Sequence, residues 1–333
     1  MHRPEIVYPG STEFRDGRLP LQGHRLGVPG LAAGQRRGPG DGQLGETWKE
    51  AEMGFSSRPD EPAADRSALP DWRSVILPDE VGRAPTMLMR TEQQLLYSLA
   101  RDYFRNEGVI VDAGCFLGGS TLSLASGLRA NPRFQAAPRR NVIHTYDLFA
   151  VEPWTIGIYF PEGTPHATSF EPLFRENIAA FADLVAVHSG DVKQASVPAE
   201  PIEILFIDLA KHWETSDHVV RAFFPRLVPG RSIIVQQDYL YHVWTGWLPV
   251  TMEYFSEYFE LLDHTEHNSV VFRYAKAAPP DAFCRDVIQS LSRAEMRTLA
   301  DRAIARFAPP QQQILIQSRE HFQGMLQDVG WRE

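Results

Sequence analysis

Residues 109–121 read VIVDAGCFLGGST and decide the fold class of this chain. The first half is a short, continuous apolar run that ends in an acid, which is typical of a strand buried on both faces of a sheet. Gly114 and Gly118 then mark a tight turn in front of a helical segment. A dinucleotide fingerprint needs glycines at the first, third and sixth positions of such a turn. Counted from Gly114, the third position is Phe116, so the sequence excludes that pattern.

Four more apolar, β-branched runs follow, each separated from the next by a helical stretch. They span residues 141–149, 184–191, 203–210 and 231–239. After the fifth run, two further runs on either side of a short break at 267–268 predict a hairpin at the edge of the sheet. Strands that alternate with helices predict an α/β, doubly wound, Rossmann-like fold with a seven-stranded, mostly parallel sheet and helices on both faces.

The composition excludes several classes of protein. The chain has 333 residues, 43% of them hydrophobic, and a formal net charge of −9. An acidic chain is poorly suited to binding the phosphate backbone, so we expect no nucleic-acid partner. No uncharged apolar run is long enough to span a bilayer, so we expect no membrane partner. Only two cysteines occur, which favours a cytoplasmic protein without a disulfide framework.

The chain divides into three parts by composition. Residues 1–75 hold eleven of the 24 glycines without any periodicity, which predicts a flexible Gly/Pro-rich extension. A misplaced start codon and a lid that orders over substrate are the open alternatives for that part. Residues 85–277 carry the alternating strands and helices of the main domain. Residues 279–333 predict a helical extension whose apolar stripe packs on the domain or on a second subunit.

The form D-x-G-x-x-x-G-x-S-T at residues 112–121 resembles motif I of class I S-adenosylmethionine-dependent methyltransferases. In that family the glycines let the backbone approach the methionine part of the cofactor. The resemblance implies a cofactor role for the residues of this turn: Asp112, Gly114, Phe116, Gly118 and Ser120. The structural alternative is a tight turn that needs glycine only for packing.

The next two strand ends also carry acids. Asp147 and Leu148 end the second run, and Asp191 and Val192 follow the third. A carboxylate at the first place can accept hydrogen bonds from both ribose hydroxyls. The resemblance implies that Asp191 receives the adenine amino group and that Val192 lines the adenine ring, with Leu148 also contacting the cofactor. Either acid, taken alone, is equally well explained by solvation at a strand end.

The fourth and fifth strand ends resemble the branch of macrocin O-methyltransferase and cephalosporin hydroxylase. That branch usually has F-I-D-G-D-H-x-Y-E on the fourth strand and D-D-Y on the fifth. This chain departs from it with Ala210 and Lys211 in place of Asp and His, and with Gln237 in place of the first Asp of the pair. The resemblance covers roughly residues 85–275.

The spacing D-x-x-K also resembles catechol O-methyltransferase, where the acids hold magnesium and the lysine is the base. That resemblance implies magnesium ligation by Asp208, Gln237 and Asp238, whose oxygens suit a hard cation. It also implies that Lys211 takes the acceptor's proton, with its pKa lowered by the metal and by partial burial. A metal-free variant, in which the Lys211 cation replaces the metal, is left open.

These resemblances imply methyl transfer from S-adenosylmethionine to a hydroxyl of a small polar acceptor, such as a sugar or secondary metabolite. One alternative is a non-heme iron hydroxylase on the same fold, which is weakened by the missing histidine. Another is a non-catalytic cofactor-binding or assembly protein, because two site positions of the family are changed. A homodimer through the C-terminal helices is also expected.

Overall fold

The computed structural model describes residues 69–241 and 245–333, and these contain one seven-stranded sheet in the order β3-β2-β1-β4-β5-β7-β6. The first five strands are parallel to one another, whereas β7 runs antiparallel to both β5 and β6. The predicted seven-stranded, mostly parallel, Rossmann-like α/β sheet is therefore confirmed. The strands are β1 Val109–Ala113, β2 Ile143–Asp147, β3 Val185–Ser189, β4 Ile202–Ile207, β5 Ile233–Leu240, β6 Phe259–His264 and β7 Asn268–Tyr274.

Helices cover both faces of this sheet. One hydrophobic cluster joins one face to side chains of α1, α2 and α4, and a second cluster joins the other face to α5, α6, α8 and α9. None of the described helices is both long and apolar enough to cross a membrane. The helices are α1 Arg90–Ser98, α2 Gly119–Ala130, α3 Pro132–Ala136, α4 Glu171–Asn177, α5 Trp213–Phe223, α6 Trp247–Tyr254, α7 Val287–Ser290, α8 Arg293–Ile304 and α9 Gln311–Asp328.

The central strands are buried on both faces, as their continuous apolar runs predict. In β1, Ile110 points into one cluster and Val111 into the other, and every residue of β1 and β4 is buried. The same prediction is wrong for β3, where only Val185 is buried. The reason is position, because β3 is an edge strand and pairs with a neighbouring strand on one side only.

Sheet order places one crevice at the carboxyl ends of β1 and β4. From β1 the chain winds outward through β2 and β3, and it then returns to start β4 on the other side of β1. Ligands of open α/β sheets bind at such a switch point, outside the carboxyl ends of the strands. The glycine turn after β1 and the acidic segment after β4 both lie at this point.

Packing begins earlier in the chain than the predicted start near residue 85. The Trp72 side chain is buried, and its indole Nε1 donates to Asp263 Oδ2 at 3.0 Å. Residues 69–75 thus depart from the predicted flexible extension, because a tryptophan anchors them to β6. The remainder of that extension, residues 1–68, lies outside the described residues.

The C-terminal helices pack on their own chain. Helix α8 begins with a capping box, in which Ser292 Oγ accepts from Glu295 N and Glu295 Oε2 accepts from Ser292 N. The predicted apolar stripe of α9 is buried in the cluster of the main domain through Leu315, Phe322 and Leu326. The predicted homodimer would therefore need other residues of these helices, and it stays a prediction.

Candidate active site

The turn after β1 has room only for glycine at two positions. Gly114 and Gly118 have φ angles of 101° and 102°, which L-residues with side chains rarely adopt. A β-carbon at Gly114 would lie 2.7 Å from the carbonyl carbon of Asp208, and one at Gly118 would lie 3.0 Å from Ile178 Cγ2. The turn is thus pressed directly against the chain that leaves β4, and the two strand ends form one continuous surface.

Phe116 occupies the middle of this turn in a left-handed conformation, with φ at 46°. A bulky residue in that region is strained unless its surroundings hold it there. Its backbone N–H donates to Asp147 Oδ2 at 2.8 Å, and its ring lies edge-on to Tyr159 and Phe170, with centroids 5.2 and 5.4 Å away. Phe116 therefore links the turn to the long segment that follows β2.

Asp112 is fully buried beneath the turn. Its Oδ2 accepts from Ser120 Oγ at 3.0 Å and from Thr121 Oγ1 at 2.6 Å, while Oδ1 has no partner among the described residues. Burial raises the pKa of Asp112 to about 6, although both hydroxyls oppose this. Ser120 and Thr121 lie in the first turn of α2 and do not cap it. The helix starts at Gly119, and their hydroxyls point back to the carboxylate.

Asp147, the predicted ribose ligand, lies beside the turn. Its Oδ1 accepts from Phe149 N and its Oδ2 from Phe116 N, both at 2.8 Å. Burial raises its pKa, and these two bonds oppose that shift. Each carboxylate oxygen keeps a further lone pair, so acceptance of ribose hydroxyls is compatible with this geometry. Leu148 projects into solvent at the same rim, with 59% of its surface exposed.

The third strand end is more solvated. Asp191 Oδ1 accepts from Lys193 N at 3.0 Å, and Lys193 Nζ lies 3.7 Å from Oδ2. Val192 is buried in the hydrophobic cluster beneath this loop, so its side chain has little free surface for an adenine ring. The cofactor roles of these two residues stay predictions.

The residues predicted to bind metal do converge, but the ammonium group of Lys211 lies between them. Lys211 Nζ donates to Asp208 Oδ1 at 2.5 Å, to Gln237 Oε1 at 3.1 Å and to Asp238 Oδ2. We call these four residues the lysine–carboxylate cluster. The two carboxylates are mostly covered, whereas the lysine side chain is 48% exposed.

This arrangement reverses the expected titration of Lys211. Burial lowers its pKa, but the charges of Asp208 and Asp238 outweigh burial and raise the pKa well above the ordinary lysine value. Burial also raises the pKa of the Asp208 carboxyl, with the neighbouring ammonium opposing. The two carboxylates thus favour the protonated form of Lys211 in this arrangement, and its predicted role as the base stays a prediction.

The cluster does not fit a divalent cation as it stands. Two carboxylates and one amide supply oxygens, yet a positive ammonium group occupies the centre where the metal would lie. Within 69–241 and 245–333, no group of three or more His, Cys, Asp or Glu side chains could hold a metal. The predicted magnesium site is thus unsupported, and the iron hydroxylase alternative, whose metal is usually bound through histidines, is not favoured.

A bulge in β5 turns Asp238 toward Lys211. Gln236 pairs with Val270 and Leu240 pairs with Asn268, so three residues of β5 lie opposite a single residue of β7. Asp238 within the bulge has a φ of 59°, a left-handed conformation that aspartate tolerates better than most residues. Bulges of this kind re-aim side chains beside functional sites.

Sequence reasoning missed two contributors to this region. Glu92 in α1 is 1% exposed, and its charge is felt by Asp208. Residues 86–88 cover the glycine turn, and a β-carbon at Gly119 would lie 2.2 Å from Thr86 Oγ1. The helix starts at Arg90 with Met89 as its N-cap, and Glu92 Oε2 accepts from Met89 N.

No protein-family model matches this chain, and a search of the curated proteins finds no match either. Among solved structures, the chain is similar to apo CalS11, a TDP-rhamnose 3'-O-methyltransferase of calicheamicin biosynthesis. The two sequences are 18% identical over 56% of this chain and 78% of that chain, and the TM-score is 0.38. The pyocyanin biosynthetic protein PhzM is 14% identical over 54% of each chain, with a TM-score of 0.34. A possible methylase from Clostridium difficile 630 is 17% identical over 56% of this chain and 53% of that chain, with a TM-score of 0.31. At identities this low, the similarity says nothing about an acceptor.

Proposed function

We propose that this protein transfers a methyl group from S-adenosylmethionine to a hydroxyl of a small polar acceptor, such as a sugar or a secondary metabolite. One observation supports this most strongly: Gly114 is so close to Asp208 that a methyl group would not fit between them. The turn that resembles the cofactor motif and the lysine–carboxylate cluster are thus neighbours at one crevice. A methyl donor and a nucleophile have to meet at such a junction.

The residues of the crevice are compatible with the charge of the cofactor. Gly114 carries no side chain, and the backbone of Asp208 and Leu209 fills the place that a β-carbon would take, so the turn and the chain after β4 form one edge of the crevice. Asp112 keeps an unpartnered buried oxygen beneath the same turn, and Asp147 retains lone pairs for a ribose. When bound, S-adenosylmethionine would supply an electrophilic methyl group on a positively charged sulfur. Acidic side chains around the crevice would favour that charge.

The cluster supplies what the acceptor hydroxyl needs without a metal. The ammonium of Lys211 would exchange its bond to Gln237 Oε1 for one to the acceptor oxygen and would stabilise the negative charge that develops there. The proton of the hydroxyl passes to a carboxylate oxygen, and Asp208 suits this task because burial raises its pKa. With the cofactor bound, transfer would form the oxygen–carbon bond and release the methyl group from the sulfur. In this proposal Lys211 is therefore the cation of the site, and a carboxylate replaces it as the base.

Cofactor binding is the first test of the proposal. Titration calorimetry should show heat on addition of S-adenosylmethionine to the wild-type protein, and a large loss of affinity for Asp147→Asn. Asp183→Asn is the matched control, because Asp183 lies outside the predicted cofactor residues, is half-exposed and, among the described residues, forms a single ion pair, to Arg129. If S-adenosylmethionine produces no heat and no thermal stabilisation with the wild-type protein, methyl transfer is excluded.

Acceptor turnover is the second test. The protein is incubated with methyl-labelled S-adenosylmethionine and small-molecule extracts, and the labelled product is isolated. Label on an oxygen of a small molecule, lost in Asp208→Asn, is the expected result. Binding of S-adenosylmethionine without transfer to any extract would instead favour a non-catalytic cofactor-binding protein.

A further inference from the structure

Glu92 is a buried carboxylate at the third position of α1, and it lies next to the proposed site. Its side chain is 1% exposed, and Oε2 accepts from the backbone N–H of Met89 at 2.9 Å. A fully buried acid is uncommon and costs free energy unless its oxygens are satisfied. One bond to its own helix start would satisfy only one of its two oxygens.

The second oxygen of Glu92 reaches across to the sheet. Oε1 accepts from Ser269 Oγ at 2.6 Å, a contact between residues 177 positions apart in the chain. Ser269 is fully buried on β7, and it is the single residue that faces the three-residue bulge of β5. The bond between Glu92 and Ser269 therefore fixes β7 at the point opposite the bulge that contains Asp238.

The charge of Glu92 also acts on the cluster. Burial raises its pKa, the bonds from Ser269 and Met89 oppose this, and Asp238 raises it further. Asp208 likewise feels the charge of Glu92. Glu92 thus adds a third negative charge close to the two carboxylates that contact Lys211, which favours the ammonium form of the lysine.

The bond to Met89 connects Glu92 to the other half of the crevice. Residues 86–88 immediately precede Met89 and cover the glycine turn, where Thr86 packs on Gly119. Within that segment Leu88 N donates to Thr86 Oγ1 at 3.1 Å. A shift of Met89 would therefore move the cover of the turn.

We propose that Glu92 is a positioning residue that holds the Asp238 bulge through Ser269 and the cover of the glycine turn through Met89, so that the cluster and the cofactor crevice keep a fixed relation. The role in catalysis rests on the proposed methyl transfer, whereas the positioning itself does not. Its test therefore begins with a measurement that needs neither cofactor nor acceptor.

The chain offers a direct probe, because it contains only four lysines. These are Lys49, Lys193, Lys211 and Lys276. Lysine labelled with ¹³C at Cε gives four signals by NMR, and a Lys211→Arg sample assigns the one of interest. Glu92→Gln and Ser269→Ala should both displace the Lys211 signal and leave the Lys276 signal in place. Ser269→Thr, which retains the hydroxyl, should restore the wild-type position.

Glu203→Gln is the matched control. Glu203 is also buried, but it accepts from the backbone N–H groups of Arg105, Glu107 and Gly108 at the opposite end of β4. An unmoved Lys211 signal in folded Ser269→Ala protein would overturn the proposal, and so would an equal displacement in Glu203→Gln. If Glu92→Gln does not fold, the two serine variants still decide the question.

Cofactor affinity tests the second connection. Glu92→Gln should weaken binding of S-adenosylmethionine about tenfold, since the bond from Met89 N–H loses its charge assistance. Unchanged affinity in Glu92→Gln would refute the link to the glycine turn. Absence of binding in the wild-type protein as well would refute the proposed function, while the lysine signals would still report on positioning.

Discussion

Gly114→Ala tests the close contact between the glycine turn after β1 and the chain that follows β4. The new β-carbon would lie 2.7 Å from the carbonyl carbon of Asp208 and 2.8 Å from the backbone nitrogen of Leu209. Both contacts are backbone atoms, so no side chain can rotate away to relieve them. The chain after β4 would have to move, and Asp208 would move with it.

The cost follows from two effects. An L-residue in the left-handed region loses about 1–2 kcal/mol relative to glycine. Overpacking against a fixed neighbour adds about 1–3 kcal/mol. We therefore expect a loss of about 3 kcal/mol in the free energy of unfolding, which lowers the melting temperature by roughly 6–12 °C for a domain of this size.

The assay pairs calorimetric unfolding with titration of S-adenosylmethionine. Gly114→Ala should show the loss of stability and no measurable heat of cofactor binding. Gly82→Ala is the control, because a β-carbon there meets nothing within 4 Å and the residue has no left-handed φ. Wild-type stability together with wild-type affinity in Gly114→Ala would refute the close approach of the turn to β4.

Three further predictions concern the cluster, the buried acid and the C-terminal extension. Lys211→Ala removes the ammonium group and leaves its oxygens free, so calorimetry should show magnesium binding that the wild-type protein lacks, together with a loss of methyl transfer. Asp112 has a pKa of about 6 when folded against about 4 when unfolded, so the native state binds a proton more tightly. Ionisation of Asp112 then lowers the free energy of unfolding by about 3 kcal/mol as the pH rises from 4 to 6. Asp112→Asn should flatten this fall when the free energy of unfolding is measured by urea titration across that pH range. Ser292→Ala removes the cap of α8 and should cost about 1 kcal/mol in the same assay.

Each of these has an outcome that contradicts it. Equal magnesium heats for wild-type and Lys211→Ala protein would mean that the ammonium does not block the oxygens. An identical pH slope in Asp112→Asn would assign the slope to other buried acids, such as Asp217. An unchanged urea midpoint in Ser292→Ala would show that tertiary packing alone holds α8.

The sequence predicts the fold well because its signals are local. Continuous apolar runs mark each parallel strand, and the break at 267–268 marks the end of the β6–β7 turn and the first residue of β7. The exposure of β3 could not be predicted in the same way. It depends on strand order, which a run of residues such as 184–191 does not reveal.

The membership of the site was predictable, but its internal arrangement was not. Strand ends bring Asp208, Lys211 and Asp238 together, as expected. Which group lies at the centre depends on a bulge in β5 that no glycine or proline announces. Glu92 was missed because its partner Ser269 lies on the last strand, and only the folded sheet brings the two together.

The most direct measurement follows the Lys211 Cε signal while S-adenosylmethionine is added to lysine-labelled protein. If the glycine turn and the cluster form one site, the Lys211 signal moves with the same midpoint as the calorimetric titration. Lys276 is an exposed lysine paired with Glu257, and its signal should not move. Saturation with cofactor while the Lys211 signal stays in place would contradict the account.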